Sequence, residues 1–233
     1  MNQNTPRPMP FAIMRNAHEA MRASIRLQEK NLEAEDLKGF RDEWERYRKA
    51  LDVHMDMEDN AMFGLLDDVS DGAITQAGLA KEHVEDVKFS SVVDAELENE
   101  DWSALRTAWS AWKTNHLSHL EHEEKIMMPL VPKTADTPAA IARVVHDRLL
   151  APSESLTNFD WYIGWVVKML SEYGSTEHPP NVATRVFACA LQYDCTPDEW
   201  NRLRPVVKQN CTLEIWTELV SEFGLEDEGK IIL

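Results

Sequence analysis

Apolar side chains recur every three or four residues over most of the chain, which is the period of one face of an α-helix. Up to Pro129 this pattern falls into four segments separated by short polar stretches, at residues 10–31, 36–66, 73–98 and 102–128. Pro129 ends the fourth segment, because proline lacks the N–H that a continuing helix needs. Alternating runs typical of strands are almost absent. Because short connections make neighbouring helices antiparallel, we predict an all-α fold built on an up-down antiparallel four-helix bundle.

A second helical region follows a proline-flanked linker at residues 131–138. Helix start signals occur there at Thr137-Pro138, Asn158, Pro179-Pro180 and Thr196-Pro197-Asp198-Glu199. The apolar faces of these helices include Tyr173 and Leu213, and that of the third helix of the bundle includes Val87; we expect all three residues to face a core. We therefore predict two domains, a four-helix bundle over residues 8–130 and a C-terminal helical extension over residues 137–233 that packs on it.

Six side chains of metal-binding type interrupt the apolar faces of the first four helices. They form two copies of one pattern, a histidine followed later by His-x-x-x-Glu, and the copies are offset by 65 positions. The residues are His18, His54 and Glu58 in the first copy, and His83, His119 and Glu123 in the second. A histidine and a glutamate four residues apart lie on one helix face. Three matching pairs at one offset predict an internal two-fold pseudo-repeat in the bundle.

Ionisable side chains at core-facing positions need partners, because burying an unpaired carboxylate is costly. At any single position, a hydrogen-bonded His–Glu pair would provide such a partner. A purely structural protein could also keep its core acids protonated. Six residues in register instead favour a cation that holds them together. Mixed imidazole and carboxylate ligands suit iron or manganese better than calcium or structural zinc. The motifs His-Glu-x-x-His and Glu-x-x-His, typical of zinc proteases and ferritin-like proteins, are both absent.

This set of residues resembles the hemerythrin-like family, also described as HHE cation-binding proteins, over roughly residues 10–130. The resemblance implies a four-helix bundle with a non-haem di-iron centre. By the family's arrangement, the two histidines of each copy hold one iron and the two glutamates bridge the irons. The implied cofactor is two iron ions joined by an oxo or hydroxo bridge, with manganese the weaker candidate. The implied partners are dioxygen or hydrogen peroxide, with nitric oxide or a small organic substrate as further candidates.

We expect this centre to activate dioxygen or peroxide, as an oxidase, an oxygenase or a peroxide-decomposing enzyme. The alternative is a non-catalytic carrier, store or sensor that binds oxygen, nitric oxide or iron. One departure from the family favours reactivity. Oxygen-carrying members place a second histidine four residues after the ligand on the third helix, and this chain has Val87 there. One iron therefore loses a ligand, and Asp86 either fills the gap or is a solvated acid.

Further polar residues surround the predicted ligands. His116 is a candidate to support the ligands or to line an oxygen pocket. Tyr47 is a candidate to donate an electron or a proton to the centre, although simple core packing is the favoured interpretation of this residue. The repeat partners of His116 and His122 are not metal-binding residues, so we predict that neither histidine is a ligand. We expect His122 to be peripheral, and His146 and His178 to lie on the surface.

The charge of the chain narrows the possible partners. It carries 41 acidic and 24 basic residues, for a formal net charge of −17. This balance argues against a nucleic-acid surface and against docking on anionic lipid. No apolar run is long enough to span a membrane, and the first ten residues lack the apolar core of a signal peptide. Three cysteines without Cys-x-x-Cys spacing are typical of buried thiols in a reducing compartment, so we expect a cytoplasmic protein.

Overall fold

The computed structural model describes residues 12–223, and the side chains of residues 13–221. Within this range the chain forms helices and no strand, which confirms the predicted all-α class. The α-helices are α1 (Ala12–Glu33), α2 (Leu37–Met57), α3 (Phe63–Asp68), α4 (Ala73–Ala77), α5 (Leu79–Asn99), α6 (Trp102–Met127), α7 (Pro138–Val145), α8 (Ala151–Ser153), α9 (Phe159–Tyr173), α10 (Pro180–Asp194), α11 (Pro197–Asn210) and α12 (Leu213–Phe223). Two π-helical segments, Glu58–Met62 and His146–Leu150, and a 3-10 turn, Val131–Lys133, complete them. The predicted start of the first helix, at residue 10, lies outside the described residues.

The described residues divide into two compact units. The central unit contains residues 24–134, and the terminal unit contains residues 12–23 and 135–223. The division falls inside α1, so this helix contributes to both units. The predicted domain bounds, 8–130 and 137–233, stay a prediction.

Side-chain contacts fix the directions of the helices in the central unit. The pairs are Arg41–Glu98 and Arg48–Ser90 between α2 and α5, Gln28–Trp109 and Leu32–Arg106 between α1 and α6, and Glu82–His119 and Asp86–His116 between α5 and α6. In each case the residue numbers rise along one helix as they fall along the other. Neighbouring helices in these pairs therefore run antiparallel, as the short connections predicted.

Two of the predicted long helices are interrupted. The segment predicted at 36–66 changes from α-helix to π-helix at Glu58, and returns to α-helix at Phe63. The segment predicted at 73–98 breaks at Gly78, whose φ of 80° belongs to the left-handed region that favours glycine. Gly78 ends α4, because its N–H donates to the carbonyl oxygens of Ile74 and Thr75.

The terminal unit packs around the apolar helix α9. Phe159, Tyr162 and Val166 on this helix are buried, and α10 and α11 lie against it. The predicted capping sequence at the start of α11 is confirmed, since Thr196 and Glu199 form a reciprocal capping box. The predicted helix starts at Pro138, Asn158 and Pro180 are confirmed within one residue.

Three predictions about apolar faces are wrong. Val87 is 43 % exposed, because Asp86 and Ser90 occupy the inward positions of α5. Tyr173 and Leu213 are 41 % and 80 % exposed, because each lies at the end of its helix rather than within the packed face.

The structure also bears on the predictions about the cysteines and about membrane-spanning helices. Cys189, Cys195 and Cys211 are free thiols of intermediate exposure, so the prediction that they are buried is wrong. None of the helices between residues 12 and 223 is both long enough and apolar enough to cross a membrane.

Candidate metal centre

The centre begins at the junction where α2 becomes a π-helix. His54 lies in the last turn of α2, and Glu58 is the first residue of the π-helical segment. The N–H of Phe63 donates to the carbonyl oxygen of Glu58, five residues earlier, which inserts one extra residue into the turn. Such π-turns occur frequently at functional sites. The other copy of the repeat, around His119 and Glu123, lies in a regular stretch of α6, so the two copies differ in backbone.

Five of the six predicted ligands belong to the central unit, and all five are buried. Their side chains are between 0 % and 5 % exposed in His54, Glu58, His83, His119 and Glu123. The ligand atoms of His54, Glu58 and Glu123 all lie within 4.8 Å of one another, and so do those of His83, His119 and Glu123. Glu123 belongs to both groups. The sixth predicted ligand, on α1 in the terminal unit, is a fully buried imidazole, His18.

Each buried carboxylate lies between two imidazole nitrogens. Oε2 of Glu58 lies 3.3 Å from Nε2 of His54 and 3.4 Å from Nε2 of His83. Oε1 of Glu123 lies 3.3 Å from Nε2 of His83 and 3.2 Å from Nε2 of His119. Two ligand atoms that sit about 2.0–2.2 Å from one metal ion lie roughly 3.0–3.4 Å from each other, for ordinary coordination angles. These separations therefore match those of neighbouring ligands on a shared ion.

A bound metal ion would also provide a partner for a buried imidazole nitrogen that lacks a hydrogen bond of good geometry. Nε2 of His83 makes no hydrogen bond of good geometry within residues 12–223, although it faces Glu58 and Glu123. Burial alone lowers the pKa of His83, but the carboxylates of Glu123 and Glu58 outweigh burial and raise the pKa to about 11. Without a metal, His83 therefore carries a proton that balances the carboxylates. A bound cation would replace that proton. The donor set thus fits a divalent or trivalent metal.

In two of these histidines, His83 and His119, the second ring nitrogen, Nδ1, is hydrogen-bonded to a carboxylate at the rim of the centre. Nδ1 of His83 lies 3.0 Å from Asp59, and Nδ1 of His119 lies 2.9 Å from Glu82. Because an ionised carboxylate only accepts hydrogen bonds, each Nδ1 donates its N–H and each Nε2 is turned towards the centre. His122 contacts the other oxygen of Glu82 at 2.8 Å and is 35 % exposed, so it is peripheral as predicted.

Asp59 and Glu82 were missed by the sequence analysis. Asp59 has an acidic counterpart at the 65-position offset, Glu124, whereas the counterpart of Glu82 is Ala17, so the repeat does not indicate both residues together. The available signal was local, since Asp59 follows Glu58 and Glu82 precedes His83 directly in the sequence. The π-turn decides the role of Asp59, and nothing in the sequence marks that turn.

A second polar chain lies beside the centre and is fully buried. The hydroxyl group of Tyr47 is hydrogen-bonded to Nε2 of His116, and Nδ1 of His116 lies 3.1 Å from Oδ1 of Asp86. Burial tends to raise the pKa of Asp86, but His116 outweighs it and lowers the pKa. Asp86 is 1 % exposed. The interpretation of Asp86 as a solvated acid is therefore wrong, since the residue is buried and its carboxylate holds His116, whereas its role as a metal ligand stays a prediction.

Outside the centre, one expectation about the remaining histidines is wrong. His146 is only 17 % exposed, because its imidazole is held between Asp147 at 2.7 Å and Glu199 at 3.0 Å. It opens the second π-helical segment, in the terminal unit. His178 lies on the surface as expected, and its carbonyl oxygen accepts from Ser175.

Comparison with known proteins agrees with this geometry. The hemerythrin HHE cation binding domain matches residues 9–131, which is more than half of the 233 residues. This stretch includes all six predicted ligands. No curated protein and no solved structure matches the chain at a significant level. The buried cluster of histidines and glutamates is the metal-binding feature expected of such a domain. The chain belongs to the hemerythrin HHE cation-binding family.

Proposed function

We propose that this protein holds a non-haem di-iron centre that binds and activates dioxygen or hydrogen peroxide. His18 and His54 would hold one iron, and His83 and His119 would hold the other. The two buried glutamates would supply carboxylates to both. The observation that carries this proposal is that Oε2 of Glu58 lies 3.3 Å from Nε2 of His54 and 3.4 Å from Nε2 of His83, one histidine of each proposed iron, while Glu123 belongs to both ligand groups. When bound, a pair of irons supplies redox chemistry towards oxygen species and stabilises negative charge on them.

The proposed ligand set leaves coordination positions for a small molecule. The group of His83, His119 and Glu123 has two imidazoles and one carboxylate, the composition used by oxygen-activating non-haem iron sites. The position that holds a further histidine in oxygen carriers, Val87, faces outward here, and Asp86 is engaged by His116. We therefore propose that neither residue adds a ligand, and that both irons stay accessible to oxygen species.

The internal repeat also indicates His18 as a metal ligand. This residue stands 65 positions before His83, and its imidazole is 0 % exposed on α1. Its removal should lower metal content as strongly as the removal of His83. His178, which is exposed on the surface, provides a matched control. Its removal should leave the metal content unchanged.

We also propose a cytoplasmic location and partners limited to small molecules. The three thiols are free, which suits a reducing compartment. The net charge of −17 disfavours nucleic acid and anionic membranes. Nitric oxide and a small organic substrate are further candidates for the open positions.

Rapid mixing of the reduced protein with oxygen tests activation against carriage. We expect the reduced iron protein to consume oxygen without a spectrum that reverses when oxygen is removed, and the oxidised protein to decompose hydrogen peroxide. A stable oxygen-dependent spectrum that disappears under vacuum and returns with oxygen would instead establish a carrier. A variant with Glu123→Ala, which lacks one bridging carboxylate, is the control for reactions unrelated to the centre.

A further inference from the structure

A hydrogen-bonded chain of three side chains leads from a tyrosine to a carboxylate inside the central unit. Tyr47 and His116 are 0 % exposed and Asp86 is 1 % exposed. The tyrosine hydroxyl group contacts Nε2 of His116, and Asp86 lies 3.1 Å from Nδ1 on the other side of the ring. Polar groups of this kind are costly to bury, and three apolar side chains would fill the same space.

The direction of each hydrogen bond follows from the chemistry of the partners. Asp86 has a lowered pKa, and an ionised carboxylate can only accept, so the N–H of His116 is at Nδ1. Nε2 of His116 therefore presents a lone pair, and the hydroxyl group of Tyr47 donates to it. The arrangement gives the phenol a proton acceptor whose positive charge, once formed, is stabilised by a buried carboxylate, as in the Ser-His-Asp triad.

Ring contacts connect this tyrosine with a predicted metal ligand. The ring centroids of Tyr47 and His116 lie 5.6 Å apart, and those of His116 and His119 lie 6.2 Å apart. Trp112 stacks on His116 with ring centroids 5.1 Å apart, and it contacts Trp44 edge to face at 4.7 Å. Short separations between aromatic rings favour transfer of single electrons.

We propose that Tyr47 is a redox-active tyrosine that delivers an electron to the metal centre and its proton to His116. One electron leaves the phenol for a one-electron oxidant, and the O–H proton moves to Nε2 of His116. The products are a neutral tyrosyl radical and an imidazolium held by Asp86. The oxidant inside the protein is the oxidised metal centre, and in this respect the inference rests on the proposed di-iron function. Reduction of the radical returns the proton and restores the starting state.

The test uses an external oxidant, so that it does not depend on iron chemistry. The full chain contains four tyrosines, and the other three lie in the terminal unit at Tyr162, Tyr173 and Tyr193. In a protein with these three replaced by phenylalanine, Tyr47 is the single tyrosine. A photogenerated ruthenium(III) polypyridyl complex then removes one electron, and electron paramagnetic resonance detects the radical. Ring-deuterated tyrosine narrows a tyrosyl signal and leaves a tryptophan signal unchanged.

We expect a tyrosyl radical on Tyr47 whose formation is slower in deuterated water. The variant His116→Phe should form it about a hundredfold more slowly, the lower end of what a positioned proton acceptor contributes. Asp86→Asn should also slow it, because the imidazole loses the carboxylate that fixes its tautomer. Circular dichroism checks that both variants are folded, and Ser110→Ala on the exposed side of α6 serves as a matched control.

Two results would overturn the proposal. The first is a radical found on tryptophan alone in the single-tyrosine protein. The second is a Tyr47 radical that forms equally fast in wild type and His116→Phe. If the purified chain holds no iron, the ruthenium experiment still reports on Tyr47, so failure of the di-iron function and failure of this inference can be distinguished.

Discussion

Removal of the Glu82 carboxylate tests how the rim of the centre orients its ligands. Glu82 accepts from Nδ1 of His119 at 2.9 Å, and no other contact to this nitrogen is seen within the described residues. In Glu82→Ala the imidazole loses both its fixed tautomer and its orientation. Loss of such outer partners typically lowers metal affinity about 10–100-fold. Because the Glu82 side chain is 34 % exposed, solvent screening places the expected loss near the lower end, about tenfold or 1.4 kcal/mol.

The assay is competition for zinc or iron(II) between the protein and a chromogenic chelator. Glu85→Ala is the matched control, because Glu85 is an exposed glutamate three residues after Glu82 on the same helix. We expect Glu82→Ala to bind about tenfold more weakly than wild type, and Glu85→Ala to bind as wild type does. Equal affinities for the two variants would refute the claim that Glu82 positions His119.

Three further predictions concern the centre and the stability of the fold. Glu123→Ala should lose most of its metal by elemental analysis and His122→Ala nearly none, because only Glu123 belongs to both ligand groups. Burial raises the pKa of Asp194 to about 7, above its unfolded value, so folding stability falls as pH rises from about 4 to 7. In urea unfolding, the gain from Asp194→Asn should therefore be about 1–2 kcal/mol larger at pH 8 than at pH 5, and an equal gain would contradict the assignment. Gly174→Ala should destabilise by about 1–3 kcal/mol, since φ is +67° and the new Cβ would lie 2.6 Å from a backbone oxygen, whereas Gly64→Ala on an open helix face should stabilise by about 0.5–1 kcal/mol.

The sequence predicts the ligands because their constraints are periodic. His54 and Glu58 lie on one helix face at a spacing of four, and the same spacing recurs at His119 and Glu123. Burial of these residues and their mutual approach follow from helix geometry, so the bundle and the central cluster can be predicted from the pattern alone.

The parts that the sequence does not predict depend on departures from that geometry. A π-turn at Glu58 adds one residue to the turn and places Asp59 against His83. On α5 the inward face contains Asp86 rather than Val87, because a polar partner on another helix, His116, stabilises the buried carboxylate. The periodicity of apolar residues favours Val87 at this inward position, because the pattern within one helix contains no information about polar partners on other helices.

The content and electronic state of iron in the purified protein test the central claim most directly. After native purification, elemental analysis combined with Mössbauer spectroscopy of protein enriched in iron-57 should show about two irons per chain, coupled to a diamagnetic ground state through the bridging ligands. A stably folded protein without metal, or one with a single uncoupled iron per chain, would contradict the account.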